Sequence, residues 1–388
     1  MTHTIEQGQL FRQLIDANTP TALWRVADVI ANLRAEKYGG HDPSSVLYLA
    51  ESVVLFGAGA YARVVLRSWA DKMPRIRCLV DSNPTKWGTM WCGLPVLSPA
   101  ELSSSLANSL VVVAAMDTHT IEEKLESLGI TPLFAEHDGS VGYLPGSWLT
   151  QHQMGFADVF ECLADDMSRY VYLEVSKARL FQRFNFPMKG NWFTAECSTQ
   201  PQYFPAGIVE LAGNESFLDC GAFDGDTVID FASQMWRKNI KRWYAIALEA
   251  DAKNAIQARN NLDAFGLNDV PVLHRVLGAN PDNPFVHNCR DIDHSQQGIQ
   301  ISLDDIPWKM PPTYIKMDIE GAELDAIKSC ERTLSRYLPK LAICLYHRTS
   351  DLLEIPLHIR KTHPSYKLYT RHHRAGSLWE TVCYAIPS

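Results

Sequence analysis

Carboxylates and glycines are concentrated in one run of this 388-residue chain: Asp219, Gly221, Ala222, Phe223, Asp224, Gly225, Asp226 and Thr227. Glu249 follows Gly221 by 28 positions, and Asp318, Glu320 and Gly321 form another acidic turn farther on. Glycine lets a backbone approach a ligand closely, and a helix opening behind it offers free N–H groups. An acid at the end of the next strand, ~20 residues or somewhat more downstream, suits the two hydroxyls of a ribose. The acidic run disfavours a phosphate. At ~4 Å and an effective dielectric near ~20, each like-charge contact costs roughly 4 kcal/mol before screening.

A cationic ligand with a ribose and no phosphate fits those residues. S-adenosylmethionine has these features: a sulfonium, an amino group, and a ribose that Glu249 can take by both hydroxyls. An earlier loop has the opposite character. Gly57, Ala58, Gly59, Ala60, Tyr61 and Ala62 carry no carboxylate, Arg63 follows them, and Asp81 stands 24 positions after Gly57. That set suits a phosphate or pyrophosphate, with Gly57, Gly59, Ala62 and Asp81 as a second nucleotide site. A tight strand–helix turn with no ligand is the other reading of the same residues.

Both loops need a strand before them and a helix behind. Apolar runs at 52–56, 76–80 and 110–114 alternate with helical stretches at 63–70 and 120–128. Ser98, Pro99 and Glu101 form a helix-start pattern with a capping box. The alternation restarts at 216–220, 243–248, 270–276, 314–317 and 341–345, and runs 366–371 and 381–386 form a closing antiparallel hairpin. Strands alternating with helices give a parallel sheet covered on both faces. The expected fold class is α/β, with two Rossmann-like three-layer α/β/α domains. The expected divisions are a helical segment at 1–50, a nucleotide-binding-type domain at 51–150, a helical connector at 151–213 and a second α/β domain at 214–388. Pro187, Gly190, Pro201, Pro205 and Gly207 break the connector, which is expected to cover part of the second domain.

Composition narrows the function classes. Lys and Arg number 36 against 44 Asp and Glu, a net charge of −8 that makes nucleic acid a poor main partner. No apolar run approaches the ~18 residues that cross a bilayer, and residues 1–20 do not read as a secretory signal. The nine cysteines are scattered without a C-x-x-C pair, so the expected setting is a reducing cytoplasm with neither a disulfide framework nor structural zinc.

Several motifs in order carry a resemblance. Residues 214–227, 247–251, 302–305 and above all Tyr314-Ile-Lys-Met-Asp-Ile-Glu-Gly-Ala-Glu323, with Tyr346-His-Arg348 and Asp351, resemble FkbM-type methyltransferases over about 160–388. The resemblance implies a class I methyltransferase fold, with a seven-stranded mixed sheet whose last strand is antiparallel. It also implies S-adenosylmethionine-dependent O-methylation of a sugar-containing or small-molecule acceptor. Residues 51–150 resemble the small Rossmann-like domain of sugar O-acyltransferases through Asp81-Ser-Asn-Pro-Thr-Lys-Trp-Gly88 and Gly93-Leu-Pro-Val96.

The donor-site residues on this reading are Asp219, Gly221, Ala222, Phe223, Asp224, Gly225, Asp226 and Thr227. Glu249 takes the ribose, and Val276 and Leu277 flank the adenine. Methyl transfer to a hydroxyl needs alignment and a group to take the proton. Asp318 and His347 are the expected catalytic residues, with His372 and His373 as further candidate bases. Lys316, inside an apolar strand, is expected to pair with a buried acid such as Glu323. Mg²⁺ on Asp318 and Glu320 stays a disfavoured option, since the two sit in a turn rather than on one strand face, and no metal ligand is expected. The oligomeric state is open. Two other readings also remain open: a nucleotide-sugar or NAD(P)-dependent enzyme working at Gly57–Ala62, and a non-catalytic S-adenosylmethionine-binding protein.

Overall fold

The computed structural model describes residues 18–25, 50–115 apart from 60–61, 64 and 67–74, 121–134 apart from 122–123, 126 and 131–132, 149, 151–181, 201–278, 299–374 apart from 307, and 379–388. Of the helical segment expected at 1–50, only 20–25 lies within the described residues as helix. The chain divides into two compact units, Met1–Gln153 with Ser176–Lys189, and Met154–Val175 with Gly190–Ser388.

The first unit is built on β1 (Val53–Phe56), β2 (Ile76–Val80), β3 (Met90–Trp91), β4 (Leu94–Leu97), β5 (Leu110–Val113) and β6 (Leu133–Phe134). They form a sheet in the order β3-β4-β2-β1-β5-β6. All pairs are parallel except β3–β4. The Val-Val-Leu-Phe run of β1 is buried on both faces because side chains alternate along a strand. Val53 and Leu55 enter one apolar cluster with Leu79 and Val112. Val54 and Phe56 enter another with Val80 and Val113. The expected capped helix at 98–101 is instead a short 3₁₀ turn, Pro99–Ser103, and Ser98 makes no side-chain cap. The Glu101 carboxylate accepts from Ser105 Oγ at 2.5 Å, so a local hydroxyl has taken the capping-box acid.

The second unit has β7 (Glu215–Cys220), β8 (Trp243–Glu249), β9 (Val272–Leu277), β10 (Ile299–Ile301), β11 (Tyr314–Met317), β12 (Lys340–Cys344), β13 (Tyr366–His372) and β14 (Thr381–Pro387). The order is β10-β9-β8-β7-β11-β12-β14-β13. Among the described residues this corrects the expected seven strands to eight: the three-residue β10 pairs parallel with β9 at the edge, too short for periodicity to reveal. β14 runs antiparallel to both β12 and β13, as the hairpin pattern implied. Helices among the described residues include α1 (Gln153–Cys162), α2 (Asp166–Phe181), α3 (Asp226–Arg237), α4 (Ala252–Ala264), α5 (Glu323–Lys328), α6 (Glu331–Tyr337) and α7 (Asp351–Thr362).

Aromatic packing fixes the loop after β7. Phe217 of β7 stacks on Phe231 of α3 at 4.8 Å and meets Tyr314 of β11 at 5.2 Å. Phe231 meets Trp243 of β8 edge-on at 5.6 Å. Such pairs add about 0.5–1.5 kcal/mol each beyond the area they bury. They clamp α3 to the sheet and so set the backbone between the two elements. β7 lies between β8 and β11, where strand order reverses, and open α/β sheets bind ligands in the crevice at such a point.

Candidate active site

The loop from Gly221 to Gly225 is locked by backbone geometry. Gly221 has φ +81°, and a Cβ there would fall 1.8 Å from the Asp318 carbonyl oxygen. The loop backbone therefore presses against the end of β11, which only glycine permits. Gly225, at φ +87°, precedes α3. Phe223 is also left-handed, at φ +46°, with an exposed ring. Asn261 of α4 donates to the Asp224 carbonyl at 2.8 Å. Asp226 Oδ1 accepts from Thr227 N at 2.6 Å. Ala222 and Thr227 are buried, and Asp226 is exposed.

Glu249 closes the loop from the other side. Its Oε2 accepts from Phe223 N at 2.7 Å and its Oε1 from Asp251 N at 2.8 Å. Burial raises its pKa, outweighing those two hydrogen bonds. A carboxylate has about four acceptor sites, so two remain for another donor. Val276 and Leu277, at the end of the neighbouring β9, are buried.

Asp219 and Lys316 are opposite each other in the parallel register of β7 and β11, so their side chains share a face. Both are fully buried, and Lys316 Nζ lies 2.9 Å from Asp219 Oδ1. Lys316 also donates to the Gly221 carbonyl at 2.6 Å, tying the loop to β11. The expectation that Lys316 pairs with Glu323 is thus corrected to Asp219; cross-strand register, invisible in one strand's sequence, decides it. Lys316 is the partner that compensates the buried Asp219 carboxylate. Burial pushes Asp219 up to about 6 against the pull of Lys316.

Asp318 is the hub of the site. Oδ2 accepts from the Tyr203 hydroxyl at 2.9 Å and Oδ1 from the Tyr346 hydroxyl at 2.9 Å. The Tyr203 ring also lies over the Lys316 ammonium at 5.1 Å. Burial would raise the Asp318 pKa, but Lys316, His347 and the two phenols bring it below the usual carboxylate value. Tyr203 is the site residue that sequence reasoning missed. It lies in a Pro-flanked stretch without periodicity, 115 positions from its partner.

His347 follows β12 and is buried. Its Nδ1 is 2.8 Å from Glu323 Oε1, and its Nε2 is 3.4 Å from Asp318 Oδ1 and 3.8 Å from Glu320 Oε2. Burial opposes its protonation, yet the carboxylates of Glu323, Asp318 and Glu320 push it up to about 10. His372 is fully buried inside β13, its Nδ1 2.9 Å from Thr381 Oγ1 and its Nε2 2.6 Å from the Arg374 carbonyl. Arg371 pairs with Asp165 at 2.8 Å. Arg371 and His372 are thus the last residues of strand β13. His373 Nε2 lies 2.6 Å from the Tyr384 hydroxyl.

In the first unit, Gly57 has φ +124°, and a Cβ there would fall 2.5 Å from the Ala114 carbonyl oxygen. Asp81 accepts from Ala58 N at 2.8 Å and Asn83 N at 2.8 Å, and pairs with Lys86 at 2.9 Å. Arg63 stacks on Trp91, 4.9 Å from the ring centre. Gly59 is unobstructed and Ala62 is buried.

A parallel sheet with an antiparallel β14, a glycine loop after its central strand and an acid closing the next strand is a mixed α/β arrangement consistent with Rossmann-like methyltransferase domains. Residues 219–367, within the second unit, match the family described as Methyltransferase FkbM domain. The solved structure of a methyltransferase FkbM from Methylobacillus flagellatus KT is similar at 22% identity, with a TM-score of 0.68, covering 94% of this chain and 100% of that one. At that identity the likeness shows the fold. The precorrin-6y C5,15-methyltransferase of Geobacter metallireducens GS-15 shares 17% identity over 46% of this chain and 82% of its own, with a TM-score of 0.29. The UDP-D-quinovosamine 4-dehydrogenase of Vibrio fischeri shares 20% over 22% of this chain and 76% of its own, with a TM-score of 0.19. No curated protein sequence matches the chain. Among the described residues, no helix is long and apolar enough to cross a membrane.

Proposed function

We propose that the second unit binds S-adenosylmethionine and transfers its methyl group to a hydroxyl of a sugar-containing or small-molecule acceptor in the cytoplasm. The observation that carries this reading is Glu249. It is buried at the carboxyl end of β8, holds the acidic glycine loop by two backbone amides, and keeps acceptor capacity for a ribose diol. The rest of the donor set agrees. The Asp219 carboxylate is paired with Lys316, and the loop beside it carries Asp224 and Asp226, whose charges favour a cation over a phosphate. Val276 and Leu277 offer an apolar wall for the adenine.

When bound, the cofactor supplies an electrophilic methyl on a sulfonium. The chain's own residues do the remaining tasks. Asp318 lies at the end of β11, ionised at neutral pH and oriented by two phenols, and it takes the acceptor hydroxyl's proton. His347, held protonated by its carboxylates, is a poor base at neutral pH and instead balances the charge of Asp318. In the first unit Lys86 engages Asp81, which leaves that acid less free for a ribose. The chain's net charge of −8 favours a small-molecule or glycan acceptor over nucleic acid.

The test is a calorimetric titration of the purified chain with S-adenosylmethionine, S-adenosylhomocysteine, NADPH and a UDP-sugar. Binding of the two adenosyl ligands alone is expected. Binding of NADPH or the UDP-sugar without them moves the chemistry to Gly57–Ala62 and overturns the reading.

A further inference from the structure

His347 is the most conspicuous polar group that the donor site leaves unexplained. Its side chain is 4% exposed, and among the described residues its Nε2 meets only carboxylates at long range. Nδ1 pairs with Glu323 at 2.8 Å, and Nε2 stands 3.4 and 3.8 Å from two further carboxylates. Glu323 is fully buried, and its Oε2 lacks a partner among the described residues. More than about nine in ten buried polar groups are hydrogen-bonded, so a buried imidazole nitrogen set between two carboxylates is a candidate ligand atom. Ligand atoms of Asp318, Glu323 and His347 lie within 4.8 Å of one another.

The two sides of the ring differ. Glu323 alone faces Nδ1, from within the protein. Asp318 and Glu320 both face Nε2, and Glu320 is half exposed on a left-handed backbone, φ +56°, which a non-glycine residue rarely adopts without cause. We propose that His347 Nε2, Asp318 and Glu320 hold a divalent cation that takes one imidazole and carboxylate oxygens, with Glu323 behind Nδ1 setting the ring. An imidazole plus carboxylates suits Mn²⁺ and its neighbours, and an acid behind the ligating histidine is the usual orienting device. The cation displaces the Nε2 proton to solvent. Placed against Asp318, it lowers the pKa of an acceptor hydroxyl that coordinates it. The sequence pattern disfavoured a metal because it considered Asp318 and Glu320 without His347. This inference rests on the donor-site reading only for its use in catalysis.

The test uses the full chain, stripped with EDTA and dialysed. Mn²⁺ binding is followed by electron paramagnetic resonance, and S-adenosylhomocysteine binding is measured on the same samples by calorimetry. One Mn²⁺ per chain is expected. Glu320→Gln and Glu323→Gln are expected to weaken it by about tenfold or more, with S-adenosylhomocysteine affinity retained. Glu320 is half exposed, so Glu320→Gln carries the test if Glu323→Gln or His347→Gln fails to fold. Absence of Mn²⁺ binding in the wild-type chain overturns the site, as does binding of equal strength in Glu320→Gln. Mn²⁺ binding lost in Glu320→Gln, with no adenosyl ligand bound by either protein, upholds the cation site and fails the donor reading alone.

Discussion

The two glycine loops have the same backbone plan and different chemistry. Gly57 and Gly221 each end a central parallel strand with positive φ, each against a carbonyl of the neighbouring strand's end, Ala114 or Asp318. Asp81 and Glu249 each accept one amide from the loop and one from the residue two positions on. Then they part. Lys86 pairs with Asp81 and, with the two amides, draws its pKa down despite burial. Glu249 has no cation in contact among the described residues, and burial raises its pKa. The strand end facing the glycine is Ala114 and Ala115 in the first unit, and Asp318 with two phenols in the second. One scaffold is thus closed on itself, and the other keeps unsatisfied acid at its mouth. The shared backbone decides where a ligand could sit; only the side chains decide whether one is wanted.

The largest expected effect tests the shared part. Gly221→Ala combines a left-handed alanine with a clash against backbone, together about 3 kcal/mol or more. Urea denaturation should show that loss. Gly57→Ala should show a smaller one, and Gly59→Ala, with open space around it, almost none. A stable Gly221→Ala would mean that the loop does not press on β11.

The next effect tests the divergence. Glu249→Ala is expected to lower S-adenosylhomocysteine affinity more than about tenfold, because it removes the ribose acceptor and loosens the Phe223 amide. Asp81→Ala should leave that affinity within about twofold. Equal losses in both would erase the distinction between the units.

Tyr203→Phe keeps the ring over Lys316 and removes one donor to Asp318. A hydrogen bond to a charged group is worth about 1.5–3 kcal/mol, so methyl transfer should slow by roughly tenfold or more at unchanged donor affinity. A slower rate accompanied by weaker donor binding would assign Tyr203 to the donor pocket instead.

The smallest effect is in pH. Glu249 is protonated more readily in the fold than in the unfolded chain, so donor affinity should begin to fall while the pH is still above 4.5. Asp219, pushed up to about 6, titrates in the same window, and Glu249→Gln should remove only part of the slope. Asp81 behaves oppositely. Its folded pKa is depressed, so its stabilising contribution is present above 3.8 and fades only as pH falls through the lower folded value. A donor affinity that stays flat from pH 7 to 4.5 would show Glu249 and Asp219 to be bystanders.

What could be read from the residues was local. Strand runs such as Val53–Phe56 and Leu110–Val113 announce themselves because burial on both faces demands continuous apolar sequence. Gly221 and Glu249 could be placed because a strand–turn–helix unit puts its functional residues at fixed spacing. β10 escaped because three residues carry no period.

The sequence by itself determined the two α/β units, the acidic loop and the acids at the strand ends, because these depend on contacts within about thirty residues. Tertiary structure alone decided which acid each cation meets. Lys316 reached Asp219 through β11–β7 register. Tyr203 reached Asp318 across 115 positions, and His347 was enclosed by carboxylates from the β11–α5 turn. Charge pairing acts over a few ångströms of space, and spacing along the chain does not report it.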